Sequence, residues 1–262
     1  MRFRSDIVVD PQLLQGRTVL LTGASGGIGS ATAGALLAQG ATVLAHYCEH
    51  RAAAEAALAG AAAGRGHLVP GDLATAEGAR ALWHAGEALG PVDVLVLNAA
   101  VIPPSPLNGS DAEWDAGWQE ALQVNVLGAG ALLREATRAF AGRGAGTAIV
   151  LSSWAAEQGS RLVDVSAYAA SKAAIRNLAQ TLARHYARDG VRVHIIAPGV
   201  VDVGMGVAGH DVADTRAVAN GLAMGRHVAA AEVAAVVSFL TSDAAPSLTG
   251  ATIDLNGASY IR

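Results

Sequence analysis

Tyr168 and Lys172 stand one helical turn apart in the run Tyr168-Ala169-Ala170-Ser171-Lys172, so on a helix they share a face. A phenol can give its proton to an oxygen that is gaining charge, but its ordinary pKa of about 10 is too high for easy reversal near neutrality. An ammonium group about 4 Å away, at an effective dielectric of about 20, is worth on the order of 4 kcal/mol at most, or about three pKa units. Half of that would bring the Tyr168 phenol towards the working range of a general acid and base, so Lys172 is expected to lower it. Upstream, Ser152 and Ser153 close the apolar run Thr147-Ala148-Ile149-Val150-Leu151, and a hydroxyl there could orient the same oxygen. Asn125 sits in the apolar run Gln123-Val124-Asn125-Val126-Leu127-Gly128, where an unpaired amide costs about 1–3 kcal/mol and so requires a partner. Alone, a Tyr and a Lys at this spacing commonly decorate a solvated helix face, so their meaning depends on what surrounds them.

A second constellation is Thr18 to Ala31, TVLLTGASGGIGSA. Thr18-Val19-Leu20-Leu21 is β-branched or apolar throughout, as expected of a parallel strand buried on both faces. Gly23, Gly27 and Gly29 follow, where side chains would block a tight turn, a close backbone approach or helix-on-strand packing. From Ser30 the pattern turns helical and closes at Gly40, so a helix N-terminus points back at the turn and favours a phosphate. A strand before and a helix after are the context in which glycines read as a dinucleotide site.

The remaining elements alternate. Strands are expected at residues 41–45, 67–69, 93–97, 147–151, 191–196 and 251–255, and helices at 52–63, 75–89, near Asp111, from Tyr168 onward and at 232–240. Trp114 and Trp118 fall on one helix face and are expected in the core. Residues 1–16 read as a polar surface extension without a chemical role, and 17–262 as one domain.

Four features in this order, TGxxxGxG at Gly23 to Gly29, the asparagine of VNVLG, the serine pair and YxxxK, resemble the short-chain dehydrogenase/reductase family over nearly the whole chain. Its bacterial carbonyl and 3-oxoacyl reductase-like members are the most similar in kind. The resemblance implies a single-domain Rossmann-type α/β fold, a doubly wound parallel sheet of about seven strands with helices on both faces. It implies hydride transfer between a nicotinamide dinucleotide and a carbonyl or alcohol, with Tyr168 as general acid/base and Lys172 lowering its pKa and binding the ribose. Ser153 would orient the carbonyl, and Asn125 would kink its helix and hold a water in a proton relay. The family's serine stands thirteen residues before the tyrosine, whereas Ser153 precedes Tyr168 by fifteen. The added residues, around Arg161 to Asp164, are expected to reshape the substrate pocket.

Cofactor contacts implied by the resemblance come from Gly23, Ser25, Gly27, Ile28 and Gly29 at the turn, and from His46 and Arg51 at the adenosine ribose. Asp72 and Leu73 would meet the adenine, and Asn98 and Ala99 would lie along the dinucleotide. Tyr168 and Lys172, then Pro198, Gly199 and Val201, would meet the nicotinamide end. The second strand ends in His46 and Tyr47 with Arg51 after them and offers no acidic residue for two free ribose hydroxyls, so NADP is preferred over NAD. Leu97 and Ala100 depart from the family's NNAG, and Val203 stands where a threonine is usual. Residues 200–225 would form a substrate lid hinged at Gly204, Gly206 and Gly209, with few charges besides Asp211, Asp214 and Arg216.

A balance of 18 basic and 22 acidic residues, with no basic block, points away from nucleic acid and anionic membrane surfaces. No stretch is apolar for long enough to span a membrane, and the N-terminus lacks a signal-peptide core. The single cysteine, Cys48, excludes an internal disulfide, reads as a spectator and fits a cytoplasmic location. Partners are then a small carbonyl or alcohol substrate and, by the resemblance, other copies of the chain in a tetramer or dimer. Two other readings remain open: a dinucleotide-binding sensor or scaffold without turnover, and a dehydratase or epimerase on the same fold.

Overall fold

The computed structural model describes residues 10–203 and 212–261. In chain order the elements are β1 (Thr18–Leu21), α1 (Gly27–Ala38), β2 (Thr42–Tyr47), α2 (Arg51–Ala57), β3 (Gly66–Pro70), α3 (Ala76–Ala88) and β4 (Val94–Leu97). There follow α4 (Asp111–Leu122), a π-helical segment (Gln123–Gly128), α5 (Ala129–Arg143), β5 (Gly146–Leu151), α6 (Ala155–Gln158) and α7 (Ser166–Tyr186). The chain continues through β6 (Val191–Pro198), α8 (Val212–Asn220), α9 (Ala230–Thr241) and β7 (Thr252–Leu255).

The strands form one seven-stranded sheet in the order β3-β2-β1-β4-β5-β6-β7, with every pairing parallel. Parallel neighbours need crossover helices, which cover both faces, and this is why strands such as Val94-Leu95-Val96-Leu97 are apolar at every position. One face packs on α3, α5 and α7 through Leu82, Trp83, Leu132, Phe140 and Ile175, and the other on α1 and α9 through Leu36, Leu37, Val233 and Val237. The sheet grows outward from β1 in both directions, so the strand order reverses between β1 and β4. At such a switch point the loops leaving the two strands diverge and open a crevice at their carboxyl ends.

Local chemistry sets most of the boundaries. Thr75 caps α3 by accepting from the Gly78 N–H at 2.9 Å, and Ser110 and Glu113 form a reciprocal capping box on α4. Three expectations need correction. The helix α2 stops at Ala57, short of residue 63, because residues 62 and 63 are exposed and give the alanine-rich run nothing to pack on. Trp114 and Trp118 are half-buried, not core: Gly117 and Ala121 form the buried face of α4, and the two rings flank it with centroids 5.6 Å apart.

The lead-in is not merely a surface extension. Leu14 is fully buried in the cluster around α1, and its N–H donates to the Gln39 carbonyl at 2.9 Å, closing the end of α1. Leu13 beside it remains exposed. Leu14→Ala should therefore destabilise the protein by about 2–4 kcal/mol, whereas Leu13→Ala should change stability by less than about 0.5 kcal/mol, both read from the shift of the urea midpoint at constant slope.

Candidate active site

The crevice at the switch point is built on Thr22, which follows β1 and is fully buried. Its hydroxyl donates to the Val96 carbonyl and accepts from the N–H groups of Asn98 at 2.9 Å and Ala99 at 3.0 Å. The Asn98 side-chain amide donates to the carbonyls of Thr22 and Gly23. Gly23 adopts φ +67°, and a Cβ there would lie 2.9 Å from the Ala99 Cα, so only glycine fits. A Cβ at Gly29 would overlap the Gly23 carbonyl oxygen, which lets α1 begin directly over the turn.

Unlike α3 and α4, α1 has no side-chain cap and no acidic residue in its first turn. Its N–H groups and dipole are left to an anion, and together with the bare turn they fit the pyrophosphate of a dinucleotide. Ile28 packs against the α1-side core, Leu73 and Val201 are buried by their side chains, and Val201 bridges Val228 by main chain.

At the adenosine end, the expectation for His46 is corrected. Because β2 continues to Tyr47, paired with Pro70, His46 lies inside the sheet and is only 3% exposed. Its Nδ1 accepts from the Gly23 N–H and its Nε2 faces the Gly71 carbonyl, so neither nitrogen is left for a ribose or phosphate. Arg51 is exposed, and its guanidinium reaches the Tyr47 hydroxyl at 3.4 Å. Asp72 is exposed after β3, with one carboxylate oxygen accepting from the Ala74 N–H.

At the other end, β5 delivers the two serines to different tasks. The Ser152 hydroxyl donates to the Lys172 carbonyl and is structural, whereas the Ser153 hydroxyl faces that of Tyr168. The Ser153 Oγ also accepts from the Ala155 N–H at 3.2 Å. Between them and Tyr168 the chain forms α6 and a 3-10 turn at Val163–Val165. That segment is tied down by Ser105, whose N–H and hydroxyl both donate to the Asp164 carbonyl. The guanidinium of Arg161 lies over the Trp154 ring at 5.8 Å. Pro198 accepts from the Trp154 N–H, and the Gly199 N–H donates to Leu255, which aligns the ends of β5, β6 and β7 around the crevice. Gly204, Gly206, Gly209 and Asp211 lie outside the described residues.

The sequence profile described as enoyl-(acyl carrier protein) reductase matches residues 23–257. The chain belongs to the short-chain dehydrogenase/reductase family. It is an oxidoreductase. It is 34% identical to cis-4-hydroxycyclohexanecarboxylate dehydrogenase of Sinomonas cyclohexanicum over 92% of this chain and 95% of that one. It is 32% identical to the 3-oxoacyl-[acyl-carrier-protein] reductase of Salmonella typhimurium over 94% of this chain and 98% of that one. The solved structure of a 3-oxoacyl (acyl-carrier-protein) reductase from Agrobacterium tumefaciens C58, with NADP bound, superposes with a TM-score of 0.83 at 30% identity, covering 98% of this chain and 99% of that one.

Two further expectations drawn from the family meet the geometry here. The Asn125 amide is 2% exposed and bonded to the chain itself: its Oδ1 accepts from the Val101 N–H, and its Nδ2 donates to the Val101 carbonyl and the Ser171 hydroxyl. The side chain therefore clamps the π-helical segment to the loop after β4 and to α7. A net lowering of Tyr168 is also not found. Burial pushes the Tyr168 phenol up, opposed by its hydrogen bond to Ser153. The Lys172 Nζ lies 5.8 Å from the Tyr168 ring centroid and donates to the Leu151 carbonyl at 2.8 Å. Its own burial brings it from 10.5 down to about 8.

Thr22, Ser105 and Ser171 were missed by sequence reasoning. Each is a small hydroxyl residue whose role lies in partners far along the chain, and only Thr22, as the first residue of TGxxxGxG, carried any signal.

A lysine lowered from 10.5 to about 8 destabilises the fold while it is charged. Below about pH 8 both folded and unfolded chains hold the proton and the full penalty applies; between about 8 and 10.5 the unfolded chain binds more protons, so stability rises with pH. Lys172→Met should raise the melting temperature of the ligand-free protein by roughly 5 °C at neutral pH, and scanning calorimetry should show that advantage shrinking as pH rises from about 8 to 10.5.

Proposed function

We propose that this enzyme interconverts a carbonyl and an alcohol using a nicotinamide dinucleotide, NADP in preference to NAD, with Ser153, Tyr168 and Lys172 as its acid/base apparatus. The observation that carries this is the meeting of Ser153 with Tyr168 at the carboxyl end of β5, with the Lys172 ammonium buried behind the tyrosine ring. The dinucleotide, when bound, supplies the hydride to the carbonyl carbon or takes it from the alcohol. Everything else falls to the chain.

Tyr168 gives its hydroxyl proton to the carbonyl oxygen as negative charge builds there, and Ser153 offers that oxygen a hydrogen bond set in place before the charge appears. A phenol pushed up by burial is protonated at neutral pH and ready to donate. The phenolate left behind lies near the Lys172 ammonium, and in these water-poor surroundings their attraction is stronger than in bulk water. In the oxidising direction the phenolate takes the proton back from the alcohol. Intact Ser153, Tyr168 and Lys172 favour turnover over a binding-only role.

The preference for NADP rests on the end of β2. Tyr47 occupies the last strand position, where a carboxylate would repel a 2′-phosphate, and the exposed Arg51 guanidinium lies within reach of the Tyr47 hydroxyl. The NADP seen in the Agrobacterium tumefaciens relative supports the same choice.

Tyr168→Phe should lower kcat by at least about a hundredfold while NADP binding, followed by calorimetry, stays within about twofold of wild type. Undiminished turnover in that variant would overturn the assignment. Arg51→Ala should weaken NADP binding about tenfold while leaving NAD binding nearly unchanged, as expected for loss of one charge-assisted contact to the 2′-phosphate.

A further inference from the structure

We infer that His46 is a positioning residue for the dinucleotide: its neutral imidazole holds together the two turns that flank the adenosine end of the site, and protonation releases one of them. This rests on the dinucleotide reading proposed above, but the linkage itself is visible in the ligand-free chain. The Nδ1 atom accepts from the Gly23 N–H at 3.1 Å, and the Nε2 atom meets the Gly71 carbonyl at 3.2 Å. An amide N–H can only donate and a carbonyl can only accept, so these partners admit one tautomer, with the proton on Nε2. The main chain repeats the connection. The Ala24 N–H donates to the His46 carbonyl, and the Gly71 N–H donates to the Tyr47 carbonyl, both at 3.0 Å. One residue of β2 thus binds the glycine turn after β1 to the turn after β3.

The position gives the proton a consequence. An imidazolium would carry a second N–H on Nδ1, aimed at the Gly23 N–H, so two donors would face each other where water does not reach. Gly23 cannot easily turn away, because its φ of +67° and its approach to Ala99 fix the turn. Burial disfavours the charged ring, and the only charge that opposes this is Asp72, on the turn after β3. From α3, Leu82 packs beside Gly71 next to the ring, and the β1 turn brings the Gly23 and Ala24 N–H groups. No other charged group among the described residues acts on the ring. Protonation is therefore expected to loosen the Gly23 turn rather than to create a new contact.

The test is a calorimetric titration of the full-length, ligand-free protein with NAD, which has no group ionising between about pH 5 and 7.5, and in parallel with NADP, whose 2′-phosphate ionises near pH 6. The 15N resonances of the His46 ring, assigned in the same ligand-free protein, report its tautomer and protonation. Neutral pH should show the proton on Nε2, and the NAD dissociation constant should rise at least about fivefold as the ring protonates. His46→Asn can still accept from the Gly23 N–H and has no titrating group, so its NAD affinity should be flat across the same range. His46→Leu lacks the acceptor and should bind about tenfold more weakly at every pH.

A wild-type affinity that stays constant through the protonation of His46, or the opposite tautomer, would overturn the inference while leaving the proposed function standing. If wild type binds neither dinucleotide at neutral pH, the proposed function fails and this inference falls with it. Should His46→Leu not fold, the contrast between wild type and His46→Asn decides alone.

Discussion

Two carboxyl ends of strands diverge at the switch point between β1 and β4, and the clasp of Thr22 and Asn98 is what gives that divergence a fixed shape. Thr22 offers one hydroxyl to three backbone groups of β4 and its exit, and Asn98 answers with its amide to two carbonyls of the glycine turn. Thr22 is fully buried, so a mismatched group here would carry a desolvation penalty of about 1–3 kcal/mol, which keeps the turn from relaxing. The tight approach of Gly23 to Ala99 and the uncapped start of α1 follow from it. It also explains how Leu97 and Ala100 are accommodated where relatives carry NNAG: Leu97 is buried in the sheet core, and the bonds that define the turn come from Asn98 and two backbone N–H groups.

The proposed acid/base group is held by a separate set of buried polar bonds, all converging on one stretch of α7. Ser152 holds the Lys172 carbonyl, Lys172 holds the Leu151 carbonyl, and Asn125 holds Ser171, whose hydroxyl in turn donates to the Tyr168 carbonyl. The helix is thus fastened to β5 on one side and to the π-helical segment on the other. Tyr168 is held in place through its own main chain by buried polar neighbours. The arrangement keeps a cation in a place where burial disfavours it, which on the proposed mechanism trades stability for a charge beside the tyrosine. The longer segment before Tyr168 does not loosen this framework, because Ser105 anchors it at Asp164.

Much of this was legible in the order of residues. Apolar runs at Thr18, Val94 and Thr147 marked strands, since a parallel strand covered by helices on both faces has no polar side to show. The glycines from Gly23 to Gly29 marked a tight turn under a helix start, because their steric reason is local. Tyr168 and Lys172 shared a face because helical spacing makes residues four apart neighbours. Family spacing then selected Ser153 ahead of Ser152, whose hydroxyl is taken up by the Lys172 carbonyl.

Only the folded chain decided the rest. His46 changed from a ribose contact to a buried link because pairing with β3 carried β2 further than its apolar residues indicated. Asn125 and Lys172 found their partners at Val101 and Leu151, positions that no local pattern connects to them. Tyr168 rose when it had been expected to fall, since burial outweighs a charge that is turned towards a carbonyl. Residue type and spacing determine which elements form and which groups could react, because those depend on neighbours along the chain. Which hydrogen bonds close and how much water is excluded depend on neighbours across it, and these determine the charge and orientation of every group in the site.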